Sequence, residues 1–263
     1  MGPVYEGGDP VSEPGFLSEV VEWFTDPLHW EGSFGIPARV VEHILLSAIS
    51  VTIAAAVALP LGLFIGHRRR FEFLVVSVAN LGRAIPSFGL LFLFFLWLGL
   101  GLEFPAYLRP TILLALVLLA IPPILTNTYV GIQSVDADTL EAARGMGFTE
   151  GGVLFRIEIP LGAPLIVAGL RTAAVQVVAT ATLAAVIAGG GLGRYIMDGF
   201  ATRDFPQIFA GALIVAILAV LTELAFSLLE RVATPRTTSR GRKRRAEPVP
   251  WEHVAQAPRP PAT

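Results

Sequence analysis

The chain has no cysteine. That excludes disulfide staples and thiolate metal centres, and it leaves the redox compartment unread. Charge is also scarce. Asp, Glu, Lys and Arg make up 15% of the residues, against about 25% in an ordinary soluble domain. Positive charge is missing altogether before Arg39, whereas Glu6, Asp9, Glu13, Glu19, Glu22, Asp26 and Glu31 are acidic. The start therefore lacks the basic region of a secretory signal peptide and is rich in Gly, Pro and Glu instead. No nucleophile or paired-carboxylate constellation stands out, which argues against an enzyme. His29, His43, His67 and His253 are isolated and show no ligand spacing, so no metal site is expected.

What the chain does have is apolar length. Hydrophobic residues make up 54%, gathered in runs near or above the roughly 20 residues that cross a bilayer. These runs predict an all-α, multi-pass transmembrane helical bundle of about five spans, at 44–66, within 71–102, at 111–132, at 161–188 and at 208–229. The second run is too long for one straight helix and contains Pro86, which removes a helix hydrogen bond and crowds the preceding turn. One reading makes 71–83 an interfacial or tilted piece and 87–102 the crossing. The other makes two short crossings.

Charge sets the orientation, because Lys and Arg near spans stay cytoplasmic. Arg68, Arg69 and Arg70, the loop carrying Arg144 and Arg156, and the basic tail belong inside, and the acidic start outside. Five crossings satisfy these placements, with Arg109, Arg194 and Arg203 left outside. Three regions follow. Residues 1–38 form an extracytoplasmic amino-terminal tail, 39–231 a transmembrane domain with a cytoplasmic loop at 134–160, and 232–263 a disordered basic cytoplasmic tail. In the first tail, Phe16, Leu17, Val20, Val21 and Phe24 recur at helical spacing. This fits either a short amphipathic helix ending near Pro27 or a partly ordered leader. The Arg242-Lys243-Arg244-Arg245 run serves either to fix topology or to touch anionic headgroups.

The residues from 134 to 162 read as two short helices joined by a hinge. Asp138 is a candidate cap for the first, with Glu141 completing a capping-box-like start. Leu140, Ala143 and Met146 offer a slim apolar edge. Gly145 and Gly147 supply the freedom to turn. Thr149 caps the second helix, and Pro160 suits the beginning of the fourth span. The order is Glu141-Ala142-Ala143, three residues, Gly147, nine residues, Ile157, one residue, Ile159-Pro160. It resembles the "EAA" loop in permease subunits of ATP-binding-cassette importers, with Ile159 where the family has Leu. Leu59-Pro60-Leu61-Gly62, Ala84-Ile85-Pro86-Ser87, Ile121-Pro122-Pro123-Ile124-Leu125-Thr126-Asn127-Thr128, Ala168-Gly169-Leu170-Arg171-Thr172 and Gly190-Gly191-Leu192-Gly193 are similar to one branch, the osmoprotectant importers of glycine betaine, choline and carnitine.

The resemblance implies a type I permease fold in the cell membrane. Glu141, Ala142, Ala143, Gly147, Ile157 and Pro160 would be the ATPase-coupling residues. The implied partners are cytoplasmic ATP-binding subunits, an extracytoplasmic substrate-binding protein and a second permease, identical or paralogous. ATP would be bound by the ATPase, so this chain needs no cofactor, and no nucleic-acid partner is expected. A quaternary-amine cage of aromatic rings is expected in the binding protein, although Trp97, Tyr107, Tyr129 and Tyr195 are available here. Methionine or another small amino acid is the alternative cargo, and a stand-alone secondary transporter the alternative class.

Polar residues inside the spans complete the reading. Asn127, Thr128, Gln176 and Thr180 are pore candidates, with hydrogen bonding between helices as the competing role; Thr182 lies beside them. Ala and Gly along the fourth span make it a candidate for the centre of a permease dimer. Arg171 and Glu223 fall at similar depth and form a candidate intramembrane charge pair, or snorkel separately. The glycines from Gly189 to Gly193 lack the Lys and Ser/Thr of a phosphate loop and read as a tight turn.

Overall fold

A computed structural model describes residues 15–84, 86–98, 109–187 and 189–233. The acidic positions Glu6, Asp9 and Glu13, together with Ile85, Tyr107 and the tail from 234 onward, lie outside the described residues. Among the described residues every regular element is helical. In chain order these are α1 (Phe16–Thr25), α2 (Ile36–Arg68), α3 (Glu72–Ala84), α4 (Ser87–Leu98), α5 (Pro110–Gln133), α6 (Ala137–Gly145), α7 (Glu150–Val153), α8 (Ile159–Thr180), α9 (Gly193–Thr202) and α10 (Phe205–Ala233). A π turn (Leu154–Glu158) joins α7 to α8, and a 3-10 segment (Ala181–Ile187) extends α8.

Among the described residues, four helices are long and apolar enough to cross a membrane: Ile36–Arg68, Pro110–Gln133, Glu150–Ile187 and Phe205–Ala233. α2 begins earlier than the apolar run suggests. Its 33 residues give about 50 Å at 1.5 Å per residue. That exceeds the roughly 30 Å hydrocarbon core, so its first turns carry Arg39, Glu42 and His43. Arg39 is ion-paired to Glu42 at 2.8 Å, and His43 Nε2 donates to the Val178 carbonyl at 2.9 Å. The second apolar run is broken around Pro86 into α3 and α4. The described part of α4 has 12 residues, about 18 Å of helix.

α5 is the hub. α2, α3, α4 and α8 all pack on it, and glycine sets how closely. A Cβ on Gly62 would lie 2.8 Å from Thr128 Cβ, and one on Gly162 would lie 2.8 Å from the Gly131 carbonyl oxygen. Without a hydrophobic drive between helices in lipid, such close approach is what holds spans together. The small residues of α8 are used in this way. Gly162 and Gly169 meet α5, and Ala173, Ala174, Ala181 and Ala184 are buried in the subunit. These residues pack within the subunit, while Thr172, Gln176 and Ala179 leave another face of α8 exposed.

α1 lies where the amphipathic pattern places it and docks on protein. Phe16 meets Phe209 edge-on at 5.6 Å, and Trp23 meets Tyr195 at 5.4 Å. Tyr195 donates to the Phe34 carbonyl at 2.7 Å, and burial pushes its phenol up to about 12. Gly191, at φ +80, makes the turn before α9 and donates its N–H to Glu42 at 2.8 Å.

Candidate functional site

The loop after α5 starts with a cap. Asp136 accepts from the N–H of Asp138 at 2.9 Å and of Thr139 at 3.1 Å. Asp138 and Glu141 therefore do not form the expected capping box. α6 begins at Ala137, which places Asp138 inside the first turn and Glu141 on the exposed side. Gly147 ends α6 at φ +86, a backbone that only glycine adopts without strain. There its N–H donates to the Arg144 carbonyl at 2.9 Å, and that of Phe148 to Ala143 at 3.2 Å. Thr149 then caps α7 through the Gly152 N–H at 3.2 Å, as its position predicts.

The apolar side of α6 turns inward. Leu140 and Ala143 pack with Val135 and Val153, and Phe148 and Ile157 lie against them. Of the slim edge, Leu140 and Ala143 are thus turned into the loop's own small core, and only Met146 is left facing out. Glu141, Ala142 and Met146 face outward, with Met146 72% and Phe155 68% exposed. Beside them lies an open hollow of about 530 Å³ lined by Met146, Gly147, Phe148, Thr149, Phe155 and Arg156.

The second loop helix is not a separate piece. α7, the π turn and α8 form one continuous rod, Glu150–Ile187. Pro160 explains the wide turn. A proline ring clashes with the carbonyl four residues back, and an i→i+5 turn makes room. The Ile159 N–H donates to the Leu154 carbonyl in that pattern. Pro160 itself is exposed in the first turn of α8.

Charges fasten the same region. Arg144 donates to both Glu150 carboxylate oxygens, at 2.9 and 3.1 Å, and this hydrogen bond pushes its guanidinium above the ordinary value. His67, at the end of α2, lies 2.6 Å from Glu158 through Nδ1 and 3.5 Å from Glu150 through Nε2. His67 looks isolated in the sequence because Glu158 is 91 residues away.

A second feature is a cleft of about 280 Å³ between α3, α5 and α8, lined by Pro122, Pro123, Thr126, Asn127, Thr172 and Gln176. It brings Asn127 and Gln176 together. Asn127 Nδ2 donates to the Pro123 carbonyl at 2.8 Å, while the Gln176 side chain is exposed. Thr180 lies one turn beyond Gln176, at the end of α8. Thr128 is a different case. It is fully buried against Gly62, on the α2 side of α5. The pore assignment of Thr128 is corrected to a packing contact. Thr126 and Thr172, which the sequence reading passed over, take its place in the cleft.

Arg171 reaches Glu223 at 3.4 Å and Glu230 at 3.1 Å. The candidate pair is therefore a triad, and Glu230 is the member missed. It falls seven residues, about two turns, from Glu223 on the same face of α10. The aromatic candidates do not gather. Trp97 is exposed, and Tyr129 and Tyr195 are buried in separate clusters.

A bundle of apolar spans with a glycine-hinged elbow continuous with one of them defines a multi-pass transport permease. The chain belongs to the family of binding-protein-dependent transport system inner membrane components, whose profile matches residues 58–239. It is 38% identical over 194 residues to the carnitine transport permease protein OpuCD of Listeria monocytogenes, covering 73% of this chain and 84% of that one. The choline transport system permease protein OpuBB of Bacillus subtilis is 36% identical over 197 residues, covering 75% and 88%. The osmoprotectant import permease protein OsmW of Salmonella typhimurium is 34% identical over 198 residues, covering 74% and 90%. An inward-facing MetNI methionine transporter structure superposes with a TM-score of 0.66 over 80% of this chain and 99% of its own, at 19% identity. That likeness shows the fold alone.

Proposed function

We propose that this chain is the membrane-spanning permease subunit of an ATP-driven importer for osmoprotectant quaternary amines such as glycine betaine, choline or carnitine. The observation that carries this reading is the elbow at Gly147. It presents Glu141, Ala142 and Met146 outward beside a hollow, on a loop continuous with a spanning rod. The relatives, named for carnitine, choline and osmoprotectant transport, support the cargo class. ATP is bound by a separate ATPase subunit, and the chain itself holds no cofactor. A second permease, identical or paralogous, supplies the second loop for the second ATPase. An extracytoplasmic binding protein delivers cargo and carries the aromatic cage that a quaternary ammonium requires.

In this scheme, closure of the ATPases displaces α6 and thereby the rod that contains α8. Inverting a 1:99 equilibrium to 99:1 takes about 5.5 kcal/mol of differential binding, supplied by ATP on the partner. The cleft with Asn127, Thr172 and Gln176 is one wall of the path. Weak polar contacts suit it, because a tight site would hold cargo back. The amino terminus lies outside, and the elbow and the carboxyl terminus are cytoplasmic.

The test is uptake by vesicles holding the complete complex. ATP-driven accumulation of a labelled quaternary amine that excess methionine does not reduce is the expected result. Transport by the purified chain without an ATPase overturns the reading. Orientation is checked on a background that has no native cysteine. A cysteine at Asp138 should resist an impermeant thiol reagent in intact cells and react in inverted vesicles.

A further inference from the structure

The junction of α2 with the loop is built from polar side chains, one of them fully buried. Glu158 is 1% exposed, and a carboxylate so buried is costly unless it is paired. Its partner comes from another span: His67 Nδ1, at 2.6 Å. The other ring nitrogen faces Glu150 at 3.5 Å, and Glu150 is held by Arg144 of α6. One imidazole thus spans two carboxylates of the loop. The π turn makes this possible. Residues eight apart on an α-helix point about 80° apart, and the wider turn at Leu154–Glu158 rotates Glu158 back toward the side of Glu150. The last turn of α2 is tied down twice more. Arg69 donates to the Val135 carbonyl at 3.4 Å, and Gly66 lies close against Ile132.

We infer that His67 is a positioning residue that clasps α2 to the coupling loop, so that displacement of the elbow moves α2 and α8 as one body. This rests on the permease reading above. It adds that α2 is driven through a buried hydrogen-bonded contact, and that this contact sets how efficiently ATP use becomes transport.

The experiment measures ATP hydrolysed per cargo molecule imported by the reconstituted complex, for wild type, His67→Ala, Glu158→Ala, His67→Asn and His67→Gln. The alanine variants are expected to raise that ratio on the order of tenfold, within the span of effects seen for residues between coupled sites. The loss should fall on the maximal uptake rate and leave the cargo KM in place. His67→Asn keeps a donor near the position of Nδ1 and is expected to retain coupling. His67→Gln places its amide nearer the position of Nε2 and is expected to lose it. If the alanine variants fail to assemble, the contrast between Asn and Gln carries the test. ATP-driven uptake with an unchanged ratio in the variants, or with Asn and Gln alike, overturns the clasp alone. Absence of ATP-driven uptake in wild type overturns the permease reading and the clasp with it.

Discussion

α5 and α10 are both strongly apolar, with mean hydropathies of 2.0 and 2.5 over their best windows, yet 56% of the α5 window is buried and only 6% of that of α10. Hydropathy alone would rank α10 as the deeper helix. The difference lies in side-chain size at the contact. α5 meets glycines of two neighbours, Gly62 and Gly162, and is surrounded by four helices. α10 turns Leu213, Ile217, Val220, Leu221, Leu224 and Leu228 outward. It is fixed near its start by Gly211 against Tyr195 and further along by the Arg171 triad. In lipid, apolar character lets a helix cross, while close approach decides which neighbours it keeps.

The sharpest way to break the contrast is Gly162→Leu. A side chain there meets Gly131 backbone, which cannot yield, so the loss should reach the upper end of the roughly 1–3 kcal/mol of ordinary overpacking or exceed it. Membrane-inserted yield and thermal stability in detergent should both fall. Gly147→Trp comes next, with a large effect on a different readout. No atom lies within 4 Å of a Cβ at this position, and the strain of a side chain at φ +86 is local, on the order of 1–2 kcal/mol, so the protein should stay in the membrane while uptake is abolished. Normal uptake by that variant in the complete complex would remove the docking role of the elbow.

Asn127→Ala and Gln176→Ala should change cargo KM several-fold, on the order of 1 kcal/mol per hydrogen bond, with little change in stability. Arg171→Gln should destabilise the α8–α10 contact, because it leaves two intramembrane carboxylates without their partner, and Glu223→Gln should do so by less, since Glu230 remains. Failure of the charge-swapped double variant to rescue either would remove the pairing. The smallest effect is expected from Leu228→Ala, within about 0.5 kcal/mol in the isolated chain. A larger loss in the assembled complex would show that α10 faces a partner.

Much of this architecture can be read from the chain. The apolar runs locate α5 and α10 to within a few residues, but they start α2 late and miss that the fourth span runs back to Glu150; Pro86 marks the break between α3 and α4, and Thr149 and Gly147 announce the elbow by their chemistry. What stays hidden has physical reasons. Asp136 and Asp138 are both plausible caps, and only the register of α6 separates them. Apolar periodicity does not reveal a π turn, because one extra residue per turn is a local adjustment around Pro160. Thr128 and Asn127 are adjacent in sequence but about 100° apart on the helix, so one packs on α2 and the other lines the cleft. His67 and Glu158, distant along the chain, carry no local signal of their pairing. α9 is short and follows a glycine turn; its apolar residues do recur at helical spacing, but over only 10 residues.

The unbroken rod from Glu150 to Ile187 touches backbone to backbone with α5 at Gly162. That contact lies about 18 Å from one end and about 37 Å from the other at 1.5 Å per residue. Gly169 meets α5 again two turns further along, so the rod is held along a short seam and free on either side of it. In the importer proposed above, a push at the elbow becomes a tilt of the rod about that seam, and the reach of its far end is set by where the two glycines fall in the chain.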